Sequence, residues 1–268
     1  MTYPFADRVA EDERLVAQGR LFDPLTRRVL QQAGLAPGMR VLDLGSGAGN
    51  VARLAADLIG PDGAVVGVER DPDAVALARR RTDAPNIEFR VGDVQTLDGV
   101  DGKFDAVVGR LVLMYLTDPV AALRRAASLV RPGGIVCLHE ADLTYPCATP
   151  LGPVSNQAQT FFTQALEKAG IACAMGPALF ATFRAAGLAE PTLLVELFAA
   201  GGPDAPAWAW ANVIGAAVPL MERFGVATRA EVDPPTLADR LLAEALDRDG
   251  CVIGPPMFGA WVRVASAH

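Results

Sequence analysis

The sequence predicts an α/β fold with a doubly wound, Rossmann-like sheet, and three observations carry this prediction. A short apolar strand, Val41–Leu44, leads into a glycine-rich turn and then into a helical pattern over Asn50–Ile59. A second apolar strand, Ala64–Val68, follows that helix and ends in an acid. Further apolar strands then alternate with helical segments, and this order is typical of a parallel sheet covered by helices.

The glycine-rich turn predicts a site for a nucleotide-like cofactor. It consists of Gly45, Ser46, Gly47, Ala48 and Gly49. Glycine adopts backbone angles that other residues avoid and lets a ligand approach the chain closely. A doubly wound sheet binds nucleotides at such a turn between strand and helix. The dinucleotide fingerprint G-x-G-x-x-G would require a third glycine at Asn50, so a nicotinamide-dependent oxidoreductase is the weaker interpretation.

Acidic residues stand at the ends of the following strands. Glu69 ends the second strand, where a carboxylate can accept hydrogen bonds from both ribose hydroxyls. The third strand, Ile87–Val91, is followed by Asp93 and Val94, where an acid can face an adenine amino group. Because the carboxyl ends of parallel strands meet at one edge of a sheet, these acids and the glycine-rich turn are expected to border one crevice.

The other elements of the first half follow from the same patterns. Two N-terminal helices are predicted, and Gly34 closes the second one. Their ranges are Glu11–Gly19 and Asp23–Gln32, with Pro24 in the first turn of the second helix. After the third strand, the pattern predicts a fourth strand (Asp105–Val108), a helix (Val120–Leu129), a tight turn at Pro132-Gly133-Gly134 and a fifth strand (Ile135–Leu138).

The second half is predicted to be more helical, with a late last strand. The expected elements are helices at Pro153–Ala169 and Pro177–Ala186, a sixth strand at Thr192–Phe198 and a last strand at Phe258–Ala265. Residues 201–250 form a helical insertion between these two strands. The insertion contains an apolar stretch, Ala207–Phe224, broken or kinked at Pro219, and an amphipathic helix, Thr236–Asp247. A lid over the substrate, a dimer surface and a helix packed on the sheet are the three open interpretations.

This ordered set of motifs resembles the class I S-adenosylmethionine-dependent methyltransferases. The resemblance covers about residues 35–140 and includes the Leu-Val-Arg-Pro-Gly-Gly segment before the fifth strand. It implies a seven-stranded sheet of order 3-2-1-4-5-7-6 with the last strand antiparallel. It also implies that residues 1–268 form one methyltransferase domain, with an N-terminal helical cap over residues 1–34 and a cofactor-binding core over residues 35–140.

The resemblance further implies how S-adenosylmethionine is bound. The glycine-rich turn passes under the methionine part, and Asp43 positions that turn and the amino acid end of the cofactor. Glu69 binds the ribose, Asp93 binds the adenine amino group, and Arg110 lies near the methionine end. The full expected set is Asp43, Gly45, Ser46, Gly47, Gly49, Glu69, Arg70, Asp93, Val94 and Arg110. The product would be S-adenosylhomocysteine, and no metal ligand is expected.

The candidates for catalysis follow the fourth and fifth strands. His139 and Glu140 leave the fifth strand beside the expected position of the methyl group, and Tyr115 comes after the fourth strand. Glu140 is expected to orient or deprotonate the acceptor, Tyr115 to shape the site, and His139 is the weaker candidate for a base. Many small-molecule members carry a His pair near the positions of Met114 and Tyr115. This chain does not, so that mechanism does not transfer.

Composition limits the class of acceptor and the cellular context. A net charge of −7 and a pI near 4.9 argue against nucleic acid as a partner. No apolar run reaches the length of a membrane span and the N-terminus does not resemble a signal peptide, so a cytoplasmic protein is expected. The four cysteines (137, 147, 173 and 251) are scattered and are interpreted as reduced thiols.

Together these features predict a methyltransferase for a small-molecule acceptor in bacterial secondary metabolism. A homodimer remains open. The main alternative is a protein that binds S-adenosylmethionine but acts as a cyclase, an isomerase or a non-catalytic partner. Arsenite methylation is a minor alternative because separated cysteines also serve that reaction. The nicotinamide oxidoreductase is the weakest of these interpretations.

Overall fold

The computed structural model describes residues 8–265, so residues 1–7 of the expected N-terminal cap lie outside the described part. The elements of the first half are α1 (Arg8–Ala33), β1 (Arg40–Leu44), α2 (Asn50–Ile59), β2 (Ala64–Glu69), α3 (Pro72–Arg80), β3 (Ile87–Val91), β4 (Phe104–Arg110), a short 3-10 helix (Leu113–Tyr115), α4 (Pro119–Ser128) and β5 (Val130–Ala141). Most lie within one or two residues of their predicted bounds.

The second half adds helices and short strands. Its elements are β6 (Ala148–Thr149), α5 (Pro153–Lys168), α6 (Met175–Ala185), β7 (Thr192–Glu196), β8 (Ala199–Gly201), α7 (Ala207–Ala216), α8 (Val218–Arg223), α9 (Arg229–Val232), α10 (Pro234–Asp247), β9 (Cys251–Ile253) and β10 (Met257–Arg263). The stretch predicted to break near Pro219 is indeed divided, because α7 ends at Ala216 and α8 begins at Val218.

Seven strands form one sheet in the order β3-β2-β1-β4-β5-β10-β7. Counted along this sheet alone, β7 and β10 are the sixth and seventh strands, so the expected order 3-2-1-4-5-7-6 is confirmed. β10 runs antiparallel to β5 and places Phe258 opposite Glu140. The chain therefore has the doubly wound architecture with an antiparallel last strand that the motifs predict.

The structure has one N-terminal helix where the sequence predicts two. The sequence predicts that Asp23-Pro24 opens a new helix, but α1 continues through Pro24. A proline inside a helix removes one backbone donor. The Thr26 hydroxyl donates to the Phe22 carbonyl at 2.9 Å in this same turn, which adds a hydrogen bond beside the proline.

β5 is much longer than its predicted range, Ile135–Leu138. It begins at Val130 and extends to Ala141, so the predicted tight turn lies inside the strand. Hydrogen bonds to the chain after β10 explain the extension: the Gly133 amide donates to the Val264 carbonyl, and the Val264 amide donates to the Gly134 carbonyl, both at 2.8 Å. At the other end, the two catalytic candidates lie within the strand instead of following it.

The described chain divides into two compact units, each made of separate segments. The core unit contains residues 22–141, residues 175–195 and the chain from residue 257. The helical unit contains the chain up to residue 21, residues 142–174 and residues 196–256. In the core unit, α1 and α2 pack on one sheet face through residues such as Val29, Val41, Ala52, Val108 and Cys137.

The helical unit has its own core. Its helices α5, α7, α8 and α10 contact one another, and β6, β9 and β8 form a small three-stranded sheet. Trp210 is buried there: its indole N–H donates to the Ile253 carbonyl at 2.7 Å, and its ring meets Phe162 edge-on. Residues 201–250 are therefore part of a larger unit that includes residues 142–174. That residues 201–250 act as a lid or a dimer surface stays a prediction.

Candidate functional site

The glycine-rich turn adopts backbone angles at which a residue with a side chain would be strained. Gly45 and Gly47 have φ angles of 62° and 49°, in the left-handed region that favours glycine. A Cβ atom on Gly45 would lie 2.7 Å from Cγ2 of Val112, whereas a Cβ on Gly47 would meet nothing within 4 Å. The turn is thus packed against the chain after β4 at Gly45 and open at Gly47. Gly49 completes it as the residue before α2.

Glu69 ties this turn to the end of β2. One carboxylate oxygen accepts a hydrogen bond from the Gly47 amide at 3.1 Å, and the other accepts one from the Asp71 amide at 3.0 Å. A carboxylate has about four acceptor positions, so Glu69 retains capacity for the hydroxyls of a ribose. The structure brings together the glycine-rich turn and the acid that the sequence assigns to one cofactor.

The chain after β3 lies next to Glu69. The Gly92 amide donates to the Glu69 carbonyl at 2.9 Å, which places Asp93 and Val94 just beyond this contact. The Asp93 carboxylate is exposed and accepts the Gln95 amide at 2.8 Å, whereas Val94 is buried. This combination of an exposed acid and an apolar neighbour is suited to the edge and the face of an adenine ring.

Asp43 is the most strongly perturbed acid of the site. It lies in β1 and is fully buried, and within the described chain neither carboxylate oxygen has a hydrogen-bond partner. Burial raises the pKa of Asp43 to about 8, although the positive charge of Arg110 and the nearby Ala52 amide oppose the rise. A buried carboxylate of this kind is complementary to a ligand cation.

Arg110 ends β4 and belongs to a network that sequence analysis missed. Its guanidinium donates to Asp23 and to the Thr26 hydroxyl, both at 2.9 Å, and its side chain is only 6% exposed. The sequence predicts for Asp23 only a place at the start of a helix, and Thr26 carries no motif. The i, i+3 spacing of the two residues, which puts them on one helix face, is the only sequence signal that could have indicated a shared partner.

His139 joins the same network from β5. Its Nδ1 lies 3.1 Å from the Thr26 hydroxyl, while its Nε2 is buried and has no partner among the described residues. Burial, aided by the charge of Arg110, lowers the pKa of His139 to about 3. An imidazole with so low a pKa has a low affinity for a proton, which weakens the expectation that it acts as a base.

Glu140 holds the turn that follows β4. One carboxylate oxygen accepts the amides of Val112 and Leu113 at 2.9 and 2.8 Å. The turn contains a non-glycine residue at positive φ, Leu111 at 53°, which costs conformational energy. Burial raises the pKa of Glu140 to about 7, despite the opposing hydrogen bonds from these amides. The sequence does not predict this contact.

The remaining expected residues occupy varied environments. Tyr115 is half-buried in the 3-10 helix that Glu140 supports, and its amide donates to the Val112 carbonyl at 3.2 Å. Ser46 is buried, and its hydroxyl has no partner in the described part of the chain. Arg70 is exposed, and nothing in the structure gives it a contact with the turn. Its assignment to the cofactor stays a prediction.

Three of the four cysteines are buried, and Cys251 is partly exposed. Burial raises the pKa of Cys137, Cys147 and Cys173 to about 12 in each case. Thiolates are the metal-binding form of cysteine. Among residues 8–265, no three His, Cys, Asp or Glu side chains group as they would around a metal ion. In the same range, no helix is both long and apolar enough to cross a membrane.

Comparison with known proteins identifies relatives of this chain. A family model for a methyltransferase domain matches residues 35–172. The chain is 38% identical over 117 residues to an arsenite methyltransferase of Halobacterium salinarum, covering 42% of this chain and 30% of that protein. It is 35% identical over 124 residues to a ubiquinone biosynthesis O-methyltransferase of Xanthomonas campestris, covering 45% and 50%. This chain thus spans only 30% to 50% of the length of these two relatives.

A solved structure supports the fold over a wider range. A putative methyltransferase from Bacillus halodurans superimposes with a TM-score of 0.58 and covers 90% of this chain and 99% of its own. The sequence identity is 15%, so this likeness concerns the fold alone.

Proposed function

Since this chain belongs to the class I S-adenosylmethionine-dependent methyltransferases, we propose that it methylates an oxygen, nitrogen or carbon atom of a small organic molecule. The observation that carries the proposal is that Asp43, a buried carboxylate without a hydrogen-bond partner among the described residues, directly precedes the open glycine-rich turn that Glu69 holds. Bacterial secondary metabolism, a cytoplasmic location and a homodimer stay predictions from the sequence.

The residues present fit S-adenosylmethionine. Asp43 offers buried acceptors to the ammonium group, and Gly47 leaves open space above the turn. Glu69 has acceptor capacity for the ribose, and Asp93 with Val94 suits the adenine. When bound, S-adenosylmethionine supplies a methyl group already activated on a sulfonium. The protein therefore has to hold the acceptor and exclude competing nucleophiles.

Positioning is the main chemical task of the chain. Holding two reacting groups in line can lower a barrier by about 7–11 kcal/mol. Glu140 would serve this task by fixing the turn after β4, and Tyr115 lies in the 3-10 helix of that turn. We propose Glu140 as a positioning residue. The alternative is that Glu140 acts as a base, and mutation can distinguish the two roles.

The buried thiols favour an organic acceptor over arsenite. Two of the relatives are named arsenite methyltransferases, but each is matched over less than half of this chain. Arsenite chemistry uses thiolates, and burial holds Cys147 and Cys173 in the thiol form. An acceptor with a hydroxyl, an amine or an acidic carbon needs no such ligand.

The proposal is tested by measuring formation of S-adenosylhomocysteine with a panel of phenols, carboxylic acids, amines and arsenite. Glu69→Ala should weaken binding of S-adenosylmethionine by about 2–3 kcal/mol, because it removes two ribose hydrogen bonds and the tether of Gly47. Glu88→Ala is the matched control, since Glu88 is an exposed acid of β3 paired with Arg90. Unchanged affinity of the Glu69 variant in titration calorimetry, or turnover of arsenite alone, would contradict the proposal.

A further inference from the structure

The glycine-rich turn contains three peptide groups between Ser46 and Gly49, and hydrogen bonds hold the first of them at both ends. The Gly47 amide donates to Glu69 at 3.1 Å, and the Ser46 carbonyl accepts the Gly49 amide at 2.8 Å. In the middle group, neither the Gly47 carbonyl nor the Ala48 amide has a hydrogen-bond partner within residues 8–265. Because glycine has more conformational freedom than other residues, the shape of this stretch depends on contacts from outside the turn.

Arg81 holds the third peptide group from outside the turn. Its guanidinium donates to the Ala48 carbonyl at 3.0 Å, and the Gly49 amide of the same peptide group is itself paired. A hydrogen bond from a charged donor is about twice as strong as one between neutral groups. Glu69 acts on the Gly47 amide in the same way, as a charged acceptor. Two side chains of opposite charge therefore hold the peptide groups on either side of the middle one.

The fold brings Arg81 to the turn by way of α3. The helix ends at Arg80, and the Arg81 amide donates to the Leu77 carbonyl at 3.0 Å. Ala78 lies three residues before Arg81 and so on the same side of the helix. A Cβ atom on Gly49 would lie 3.3 Å from Cβ of Ala78. The side of α3 that carries Arg81 is thus packed against the glycine-rich turn.

Arg53 ties the backbone of Arg81 to the helix that follows the turn. The Arg53 guanidinium donates to the Arg81 carbonyl at 3.4 Å and to Oδ1 of Asn50, the first residue of α2, at 2.8 Å. The Arg53 amide donates to the Gly49 carbonyl at 3.1 Å. These contacts use only the backbone of Arg81, so a change of its side chain removes the bond to the turn and leaves them in place.

We propose that Arg81 is a positioning residue of the cofactor site, which fixes the shape of the glycine-rich turn by holding the Ala48 carbonyl. The inference rests on the proposed function, in which the methionine part of S-adenosylmethionine lies over this turn. A turn that is ordered before binding loses less conformational entropy when the cofactor binds, so the affinity is higher. Arg81 acts through the backbone of the turn and lies outside the set of residues that the sequence assigns to the cofactor.

Titration calorimetry with S-adenosylhomocysteine tests this role in variants of the full chain. Arg81→Met keeps much of the apolar stem but removes the charged donor, so affinity should fall about tenfold. Arg81→Lys keeps a charged donor and should recover most of this loss. Arg80→Met is the matched control, because Arg80 is the exposed neighbour at the end of α3, and its affinity should not change. Unchanged affinity of the Arg81→Met variant would overturn the inference.

A second ligand distinguishes positioning of the turn from general stabilisation. 5′-Methylthioadenosine lacks the amino acid end of the cofactor, so its affinity for the Arg81→Met variant should fall less than that of S-adenosylhomocysteine. If Arg81 served only stability, the variant would lose affinity for both ligands equally, or it would unfold at a lower temperature with both affinities unchanged. Either result would refute the positioning role.

NMR of the protein without ligand tests the contact itself. Labelling of alanine carbonyls with ¹³C and glycine amides with ¹⁵N selects the Ala-Gly pairs of the chain, and Ala48-Gly49 is one of them. Arg81→Met should shift the carbonyl signal of Ala48, whereas Arg80→Met should not. Arg81→Gln keeps a neutral donor, should shift the signal less, and replaces the Met variant if that protein does not fold. A carbonyl signal that no Arg81 variant moves would show that the contact is absent.

The outcomes separate this inference from the proposed function. If the unmodified protein does not bind S-adenosylhomocysteine at all, the proposed function fails and the inference fails with it. If the unmodified protein binds S-adenosylhomocysteine and the Arg81→Met variant retains full affinity, the proposed function stands and the role of Arg81 is wrong.

Discussion

At the scale of single residues, the site places function in conflict with stability. Asp43 lies deep in the sheet, and neither of its oxygens has a hydrogen-bond partner within residues 8–265, although a hydrophobic residue at this position would suit the core. Burying an unpaired polar group is unfavourable. We therefore expect the stability of the protein to gain from binding of the proposed cofactor.

Asp43→Asn should therefore stabilise the free protein at high pH. The pKa of Asp43 is raised from 3.8 to about 8 in the folded state, so the folded protein binds an extra proton between these values. Its free energy of unfolding consequently falls as pH rises from about 4 to about 8. Denaturant unfolding should show a larger gain for the variant at pH 8 than at pH 5. Its affinity for S-adenosylhomocysteine should drop.

The matched control for this comparison is Asp57→Asn. Asp57 is exposed and forms an ion pair with Arg27 at 2.6 Å. Such a surface pair contributes little to stability. A gain for Asp43→Asn that is the same at both pH values would contradict the assignment of a raised pKa.

Substitutions of Glu140 decide between positioning and base catalysis. Glu140→Gln keeps an oxygen that can accept from Val112 and Leu113, so turnover should stay within about tenfold of the original. Glu140→Ala leaves the turn unsupported, and both turnover and the unfolding temperature should fall. Steady-state kinetics and thermal unfolding measure the two effects. A loss of about 100-fold or more in the Gln variant, with normal cofactor binding, would indicate a general base.

At the scale of elements, a side chain from α10 caps α5. The Glu244 carboxylate accepts the amides of Val154 and Ser155 at 2.7 and 2.9 Å. These amides belong to the first turn of α5, whose donors have no partner within the helix. A Cβ atom on Gly152 would clash with this carboxylate, so a side chain at this position would displace Glu244 from the cap. The contact joins two helices of the helical unit.

Glu244→Ala should lower the free energy of unfolding by about 1 kcal/mol, the usual effect of losing such a cap. The hydrogen bonds from Val154 and Ser155 lower the pKa of Glu244 below its ordinary 4.5. The stabilisation is therefore complete above pH 4.5 and is lost as pH falls through the lowered pKa. Glu190→Ala, at an exposed position, is the control. Equal unfolding curves for the two variants at pH 7 would refute the cap.

Local patterns predict most strands and helices, and long-range contacts explain where they fail. Asn50–Ile59 and Ile87–Val91 have the predicted bounds because apolar periodicity is a property of the segment itself. The prediction ends β5 at Leu138 because the polar residues His139 and Glu140 follow, but the strand continues to Ala141. Their burial depends on Thr26 and on the turn after β4, which no pattern within β5 can indicate.

The same distinction applies to the candidate site. Glu69 and the glycine-rich turn carry a motif because the chain itself must turn there, and the structure joins them. The network of Arg110, Asp23 and Thr26 joins residues more than 80 positions apart in the chain. Such a contact requires the fold to be known, and each residue alone resembles an ordinary polar side chain.

At the scale of the whole molecule, the two units should respond differently to the cofactor. The expected cofactor residues all belong to the core unit. S-adenosylhomocysteine should slow amide hydrogen exchange in residues 43–50, 67–71 and 92–95, because ligand binding suppresses local opening. Residues 207–247 of the helical unit should exchange at an unchanged rate. Slowing of similar size there, with S-adenosylhomocysteine alone, would contradict this division.

The place of β10 in the sheet has a consequence for biosynthesis. β10 lies between β5 and β7, yet it is synthesised only after the whole 196–256 segment. Until then, β7 has no neighbouring strand, and β5 exposes an unpaired edge with its amides and carbonyls open to other chains. During translation, the nascent protein thus holds strands β1 to β5 beside an open edge. A chaperone that shields this edge would act in the interval before β10 inserts.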